Sequence, residues 1–561
     1  MKMKLIAFVA ICAVCLCAQA PVGQQPSFFQ KLKSPWTDSV VPAFPTPAYF
    51  RKMIATPSSR VELQPPARLA DYVQDGKLVL SLKAYLDLVM ANNTDVAVQR
   101  LTVERSQNNL LGAFSRFDPT MSFNLSHGRS TSVSTDRFDA VSQLKQLNQS
   151  GTLGFNELLP SGTTIGGSVG LSKSASNSAN LTNNPNLGGT FGLNFSQPLM
   201  RGRSLDIVRI QITTARINLR SSILSNVDAM MSYVQAAESA YWDVVGARDS
   251  LRVAEAALAL QQISMDRSDK MLELGAMAEL DIFQPRAQLE QSKIQVSQAK
   301  FSLMRVEDAL RRQMGADLDP AIRMLPLELT EAVAPPADTT VLDREALVQK
   351  ALTNRPDLAR AVLALQTDDL NLKQSVNNLR PQLTLSGNYN GRGTSGTRYS
   401  SSGSPIPISI GGFSDALGTA FARENPSYTF GLNLSLPLHD RGAAANLANS
   451  LLSKKSDTLT VRRTEEQVRL DVLNAVTALE SSKDLVKLAI ISRDLAQQDQ
   501  ESWQKKFDLG TTEMYFVLDA TNRLSNAESA LSNAYITYHR NELNLQRVTG
   551  ELLERRGIVI Q

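Results

Sequence analysis

From Leu80 to about Phe117 the apolar residues Leu82, Leu86, Val89, Val96 and Leu110 recur among polar ones with no internal proline. That spacing predicts an amphipathic helix. Pro119 ends it, and Thr120-Met121-Ser122-Phe123-Asn124-Leu125-Ser126 then alternates at period two, as a strand with one wet and one apolar face does. The same signature returns at Thr190 to Leu199. Between these strands, weaker alternations at Gly151 to Phe155 and Thr164 to Leu171 flank Pro160-Ser161-Gly162 in a Ser/Asn/Gly/Thr-rich stretch, which predicts a hairpin within a surface loop. Whether that hairpin adds strands to the main sheet is left open by the pattern.

After Gly202 a helical pattern runs without interruption to about Leu272, through Leu205, Val208, Ile212, Ala215, Leu219, Ile223, Val227, Met230, Val234, Ala237, Tyr241 and Val244. The fours at Leu219, Ile223 and Val227 form a stutter that relaxes the supercoil of a strict heptad. Such a helix is on the order of 100 Å long, wider than a globular domain. A break at Leu274-Gly275-Ala276 leads into another helix ending near Gly315, and Pro320, Pro326, Pro335 and Pro336 mark a linker.

The succession then repeats. Leu274-Gly275 matches Leu509-Gly510, Glu307 matches Glu542, Arg312 matches Arg547 and Gly315 matches Gly550, all at one constant offset. Upstream, Asp95 matches Asp357, Pro119 matches Pro381 and Phe191-Gly192-Leu193-Asn194 matches Phe430-Gly431-Leu432-Asn433. A period this long is a duplicated module and not a solenoid repeat. Each copy supplies a pair of strands of about ten residues, the length of a tilted membrane-spanning strand. Four strands are too few to close a barrel, and an open edge cannot face lipid. Three chains would bring about 12 strands together, a workable barrel.

The chain opens with Met1-Lys2-Met3-Lys4, an apolar run from Leu5 to Leu16 and Ala18-Gln19-Ala20, the order of a secretory signal. Pro21 leaves the cleavage position open by a few residues. All three cysteines, Cys12, Cys15 and Cys17, fall in this run, preceded by Ile11, Val14 and Leu16 instead of the small residue of a lipoprotein signal. The exported chain is then expected to hold neither disulfide nor thiolate site. From Pro21 to about Gly76 prolines dominate without a sustained period, which predicts an extended arm. The formal charge is +4, of which Lys2 and Lys4 supply two, so nothing suggests a nucleic-acid partner.

These residues resemble the TolC family of outer-membrane efflux and secretion channels. The resemblance runs from about Leu80 to Gly550. It is carried by Asn354-Arg355-Pro356-Asp357 at a helix start, Ser196-Gln197-Pro198-Leu199 with Arg201-Gly202 at a strand-to-helix junction, and Ala240-Tyr241-Trp242-Asp243. Val517-Leu518-Asp519-Ala520-Thr521 after Leu509-Gly510-Thr511 resembles the family's periplasmic tip. The resemblance implies a homotrimer in the outer membrane, its strands in one β-barrel and its helices in a periplasmic tube, working with a periplasmic adaptor and an inner-membrane pump. It implies adaptor contact at Leu274, Gly275, Ala276, Leu509, Gly510 and Thr511. It places the pore constriction at Asp519, with Phe516 where the founding member has a second aspartate, and at Asp281 and Gln284 in the first copy. Thr512 stands where some members carry a latching arginine.

Other chemistry is weakly supported. Gly391-Arg392-Gly393-Thr394-Ser395-Gly396 spells a dinucleotide fingerprint, but Tyr399-Ser400-Ser401-Ser402 and Pro405 follow where a helix is required, so a flexible extracellular loop is expected. His127, His439 and His539 stand far apart, at expected surface or barrel-end positions, and build neither a zinc site nor a triad. Tyr241 and Trp242 are read as packing. No enzyme, cofactor or metal is expected.

The expected fold is mainly α with a β-barrel portion: a trimeric α-helical barrel continuous with an outer-membrane β-barrel, built from duplicated helix-strand-strand-helix modules. The expected organisation is a signal at 1–20, an arm at 21–77, a first repeat at 78–315 with strands about 119–199 and tip about 272–281, a linker at 316–341, and a second repeat at 342–561 with strands about 381–438 and tip about 507–516. The expected function is passive conduction of cargo from an inner-membrane pump, in efflux or type I secretion. The alternative is a structural periplasmic coiled-coil adaptor or stalk.

Overall fold

The computed structural model describes residues 69–134, 141–178, 180–203, 207–275, 277–316, 323–331, 342–400, 406–422 and 424–558. The expected leader, its cysteines, most of the arm and of the linker, and Ala276 lie outside these residues.

A short 3-10 helix (Leu69–Tyr72) leads into two short strands, β1 (Val73–Gln74) and β2 (Lys77–Leu80). Two helices follow where one was expected, α1 (Leu82–Asn92) and α2 (Thr94–Phe114). Asn93 causes the break: its backbone is extended, and its side chain accepts from the amides of Asp95 and Val96, capping α2. Four long strands come next, β3 (Thr120–Val133), β4 (Gln143–Leu158), β5 (Thr164–Ser176) and β6 (Asn183–Pro198). The helix α3 (Ile207–Glu273) is 67 residues long, so it extends about 100 Å. It is followed by α4 (Phe283–Gln313) and the short strand β7 (Leu327–Leu329).

The second half begins with α5 (Arg344–Asn354) and α6 (Pro356–Asn378), separated at Arg355 because Pro356 takes the first helical position. Then come β8 (Gln382–Tyr399), β9 (Pro407–Ile410), α7 (Phe413–Phe421), β10 (Pro426–Ser435), the 68-residue α8 (Arg441–Asp508), α9 (Met514–Val548) and the one-turn α10 (Leu552–Arg555).

One antiparallel sheet runs in the order β10-β8-β6-β5-β4-β3, with β9 added beside β8. This corrects the strand count expected from the sequence. The weak alternations around Pro160 belong to β4 and β5, a hairpin as expected, but one that joins the main sheet between β3 and β6 instead of lying in a surface loop. Among the described residues, each chain therefore offers six long strands instead of four. Gly391 to Gly396 corrects a second expectation: it continues β8 and is not a loop.

A small second sheet joins the end of the expected arm to the linker, since β2 pairs in parallel with β7. Around it lies the main core, formed by Leu80, Tyr85, Leu88, Met230, Val234, Tyr241, Val244, Leu310, Met314 and Leu552. Tyr241 is fully buried and Trp242 nearly so, as packing residues. A second core joins α5, α8 and α9 through Val348, Val472, Val476, Tyr535 and Tyr538. The halves use matching contacts at their helix ends: Gly315 packs on Asn92, and Gly550 on Asn354.

Of the histidines, His127 and His439 are exposed, on β3 and beyond β10. His539 departs from its expected surface or barrel-end position. Its ring stacks on Trp242 at 4.0 Å between centroids, in a partly buried site.

Candidate functional site

The sheet has two chemically opposed faces, because cross-strand partners point the same way. Register aligns Met121, Phe123 and Leu125 of β3 with Phe155, Leu153 and Gly151 of β4. The row continues through Ile165, Val169 and Leu171 of β5, Phe191, Leu193 and Phe195 of β6, Leu385 and Tyr389 of β8, and Tyr428, Phe430 and Leu432 of β10. The opposite face carries Ser122, Asn124, Thr152, Ser168, Thr190, Asn194, Asn388, Asn390 and Asn433. Many of the apolar side chains stand exposed, Met121 at 74% and Phe430 at 71%. Gly387 leaves room for the Phe195 ring, and an apolar cleft of about 430 Å³ opens beside it, lined by Phe155, Leu193, Tyr389, Tyr428 and Phe430.

At the far ends of the long helices lie two turns. Leu509 caps α8, the Gly510 amide donates to the Phe507 carbonyl at 2.8 Å, and the Thr511 amide donates to the Lys506 carbonyl at 3.0 Å. This paired closure requires a left-handed residue, and Gly510 has φ +72°. The α3 end closes similarly, with Gly275 at φ +68° and its amide donating to the Leu272 carbonyl at 3.0 Å. Leu274 and Leu509 project with 83% and 78% of their surface exposed. Both turns thus present one apolar side chain beside a glycine.

Beyond the second turn, Phe516 stacks on Trp503 at 5.0 Å, and the Lys506 ammonium sits 4.3 Å from the same indole. Asp519 pairs with Arg523 at 2.9 Å, and Arg523 reaches Asp499 of α8 at 3.1 Å. Asp281 and Gln284 are exposed in the first turn region. The two tip regions are tied by Gln288 donating to Asn522 at 3.3 Å and by Arg267 beside Asp508 at 3.5 Å.

Sequence reasoning missed Trp503, Lys506, Arg523 and Asp499. Arg523 stands one helical turn after Asp519, and Trp503 stands about as far before Gly510 as Phe516 stands after it. Those spacings are readable once α8 and α9 are treated as an antiparallel pair. Exposed ion pairs of this kind contribute under about 1 kcal/mol each. The aromatic stack adds roughly 0.5–1.5 kcal/mol. Phe516→Ala is therefore expected to loosen the tip while leaving the body's melting unchanged, read as faster amide exchange confined to residues near Gly510.

The sequence profile of outer membrane efflux proteins matches residues 158–316 and 347–551. Outer membrane protein TolC of Vibrio cholerae is 25% identical over 369 residues, which is 65% of this chain and 77% of that protein. The toluene efflux pump outer membrane protein TtgC of Pseudomonas putida is 21% identical over 324 residues, 57% of this chain and 60%, less than two thirds, of that protein. Among solved structures, the outer-membrane channel OprN aligns with TM-score 0.59 at 16% identity, over 84% of this chain and 90% of that one. The CmeC outer membrane channel of Campylobacter jejuni aligns with TM-score 0.58 at 17% identity, over 89% and 91% of the two chains. These structural likenesses concern the fold. With the profile covering most of the chain, and long helices joined to a sheet with one apolar face, the protein belongs to the outer membrane efflux protein family, whose members are outer-membrane channels and not enzymes.

Proposed function

We propose that three copies of this chain close into a single channel that conducts cargo passively from an inner-membrane pump, through a periplasmic adaptor, across the outer membrane. The observation that carries this reading is the sheet of six long strands with one continuous apolar face and two long unpaired edges, β3 and β10. An unpaired edge in hydrocarbon is prohibitively costly, so the β3 edge of one copy pairs with the β10 edge of the next. Three copies then give 18 antiparallel strands, an even number and wider than the 12 expected from the sequence alone.

The helices support the same assembly. Leu452, Leu459, Leu485, Leu488 and Leu495 of α8 and Ile294, Phe301 and Met304 of α4 are exposed in the single chain. Adjacent copies cover these rows. The two halves act as duplicated modules, each ending in a glycine-closed turn. Leu274, Gly275, Ala276, Leu509, Gly510 and Thr511 meet the adaptor, while Asp519 and Phe516, with Asp281 and Gln284, narrow the pore. A coiled-coil adaptor or stalk has no use for strands that interrupt each helical half with an apolar face.

Single-channel conductance in a planar bilayer tests this. Small unitary currents are expected, rising in Phe516→Ala and losing cation sensitivity in Asp519→Ala. Particle images with threefold symmetry and 18 strands are expected alongside. Folded protein that neither inserts nor conducts would favour the stalk.

A further inference from the structure

The connection between β8 and β10 carries a helix that channel function by itself does not require. The helix α7 folds back over β6 and β8, with Ala416 and Ala420 fully or almost fully buried against them. It lands on a glycine bed. A methyl group added at Gly189 or Gly393 would overlap the Ala416 carbonyl, and one at Gly391 would overlap the Ala420 carbonyl. Backbone thus meets backbone, an approach that only residues without a Cβ allow. Gly391 and Gly393 are the first two glycines of the dinucleotide-like run, so that run serves helix docking.

The face on which α7 lies is decided by register. Gly391 is opposite Phe191 and Gly393 opposite Gly189, in the same row as Leu193, Tyr389 and Tyr428. The helix therefore sits on the apolar face, at the end of the apolar band away from the long helices. Phe421 touches Phe191 at 4.8 Å between ring centroids.

The chemistry of α7 suits that place. Its single charged residue, Asp415, is used at its own start, accepting from the Gly412 amide at 2.8 Å. The Thr419 hydroxyl is likewise turned back to the carbonyls of Asp415 and Ala416. Phe413, Leu417 and Phe421 form one stripe at helical spacing, with Phe413 41% and Phe421 49% exposed. The helix thus turns two phenylalanines outward, and its single charge lies in its first turn.

We infer that α7 is a membrane-interface helix, docked on the outside of the barrel and inserting Phe413 and Phe421 among the lipids of the outer leaflet. The inference rests on the barrel reading above. Aromatic side chains favour the boundary between headgroups and chains, and an interfacial helix buries its apolar side there. The partner is the lipid surface itself, continuous with the lipid around the apolar band.

Tryptophan substitution tests it in the full chain, reconstituted in phosphatidylcholine and phosphatidylglycerol vesicles that contain brominated acyl chains. Phe413→Trp and Phe421→Trp are expected to lose emission, relative to the parent protein's own tryptophans, to the extent seen for Phe430→Trp in the band. Gly393→Leu, which lifts α7 from its bed, is expected to change the quenching at Phe413→Trp and leave that at Phe430→Trp unchanged. Quenching at Phe430→Trp with none at the two α7 positions would overturn the inference and leave the barrel standing. Protection of the α7 positions from both brominated lipid and aqueous iodide would place the stripe against protein and also overturn it. An unquenched Phe430→Trp would sink the barrel reading.

Discussion

Arg556→Ala is expected to destabilise the helical body by about 3–5 kcal/mol, the cost of leaving one member of a buried ion pair alone. Glu238 is 2% exposed, and Arg556 donates to its two carboxylate oxygens at 2.8 and 2.5 Å. Burial pushes the Glu238 carboxyl above the usual range, and the Arg556 charge opposes that rise. Without the arginine the folded-state value climbs further. A carboxyl raised in this way contributes its stability below the unfolded value, near 4.5, and loses it as pH rises through the folded value. The deficit of the variant is therefore largest at neutral pH and narrows towards pH 4.5.

His539 adds to the same trend. Burial first, and the Arg556 charge second, hold its imidazole below the ordinary value of 6.5. Its stabilising contribution is present above that value and is lost as pH falls through the folded one. Removing Arg556 lessens the depression, so the variant loses less on acidification than the parent does. Urea unfolding in detergent at pH 8 and pH 4.5 reads the difference, and equal deficits at both would contradict this account.

Glu331→Ala is expected to cost about 2–4 kcal/mol, for three hydrogen bonds to a charged acceptor that remains partly exposed. One carboxylate oxygen accepts from the Leu82 amide at the start of α1, at 2.9 Å. The other accepts from the Tyr241 hydroxyl and, at 2.9 Å, from that of Thr330. Burial raises the carboxyl, but these hydrogen bonds outweigh it and leave the net value lowered. Such a group stabilises above its unfolded value and loses that contribution as pH falls through the folded one. The parent should lose stability on acidification below about pH 4.5 by a component that Glu331→Ala lacks. Glu331→Gln, which keeps an acceptor for one donor, should recover part of the loss. Limited proteolysis near residue 331 reads the release of the linker.

Much of the helical body was legible in the sequence. The apolar steps of three and four from Ile212 onwards match α3, and its end at Leu274-Gly275 follows from a glycine that closes a helix. The strands β3, β6 and β10 were legible in the rows of Met121, Phe191 and Phe430. The strands β4 and β5 were legible only as a short hairpin of open membership, because their polar face is Ser, Asn, Gly and Thr, a composition shared with loops. Only pairing with β3 and β6 turns their faint alternation into strand. The helix α7 was hidden by Gly411, Gly412 and Gly418, residues that read locally as breakers.

Of the tip, the turn residues and Asp519 with Phe516 were placed by pattern and resemblance, but their partners were not. Trp503 and Asp499 come from the opposite helix, and no local period announces which face of α8 meets α9. The Glu238 to Arg556 pair and the Glu331 bonds to Leu82 and Tyr241 join residues distant in sequence, so no window along the chain contains them.

The sequence by itself determined the length of the helices, the position of their turns and the membrane character of the strands. Each of these follows from how successive side chains partition between water and an apolar phase, a local property. Tertiary structure alone decided that the sheet has six long strands, that the arm and the linker share one small sheet, and that a helix rests on the apolar face. Those outcomes depend on which surfaces fit and which backbone groups find partners, and both are set by pairing across distance.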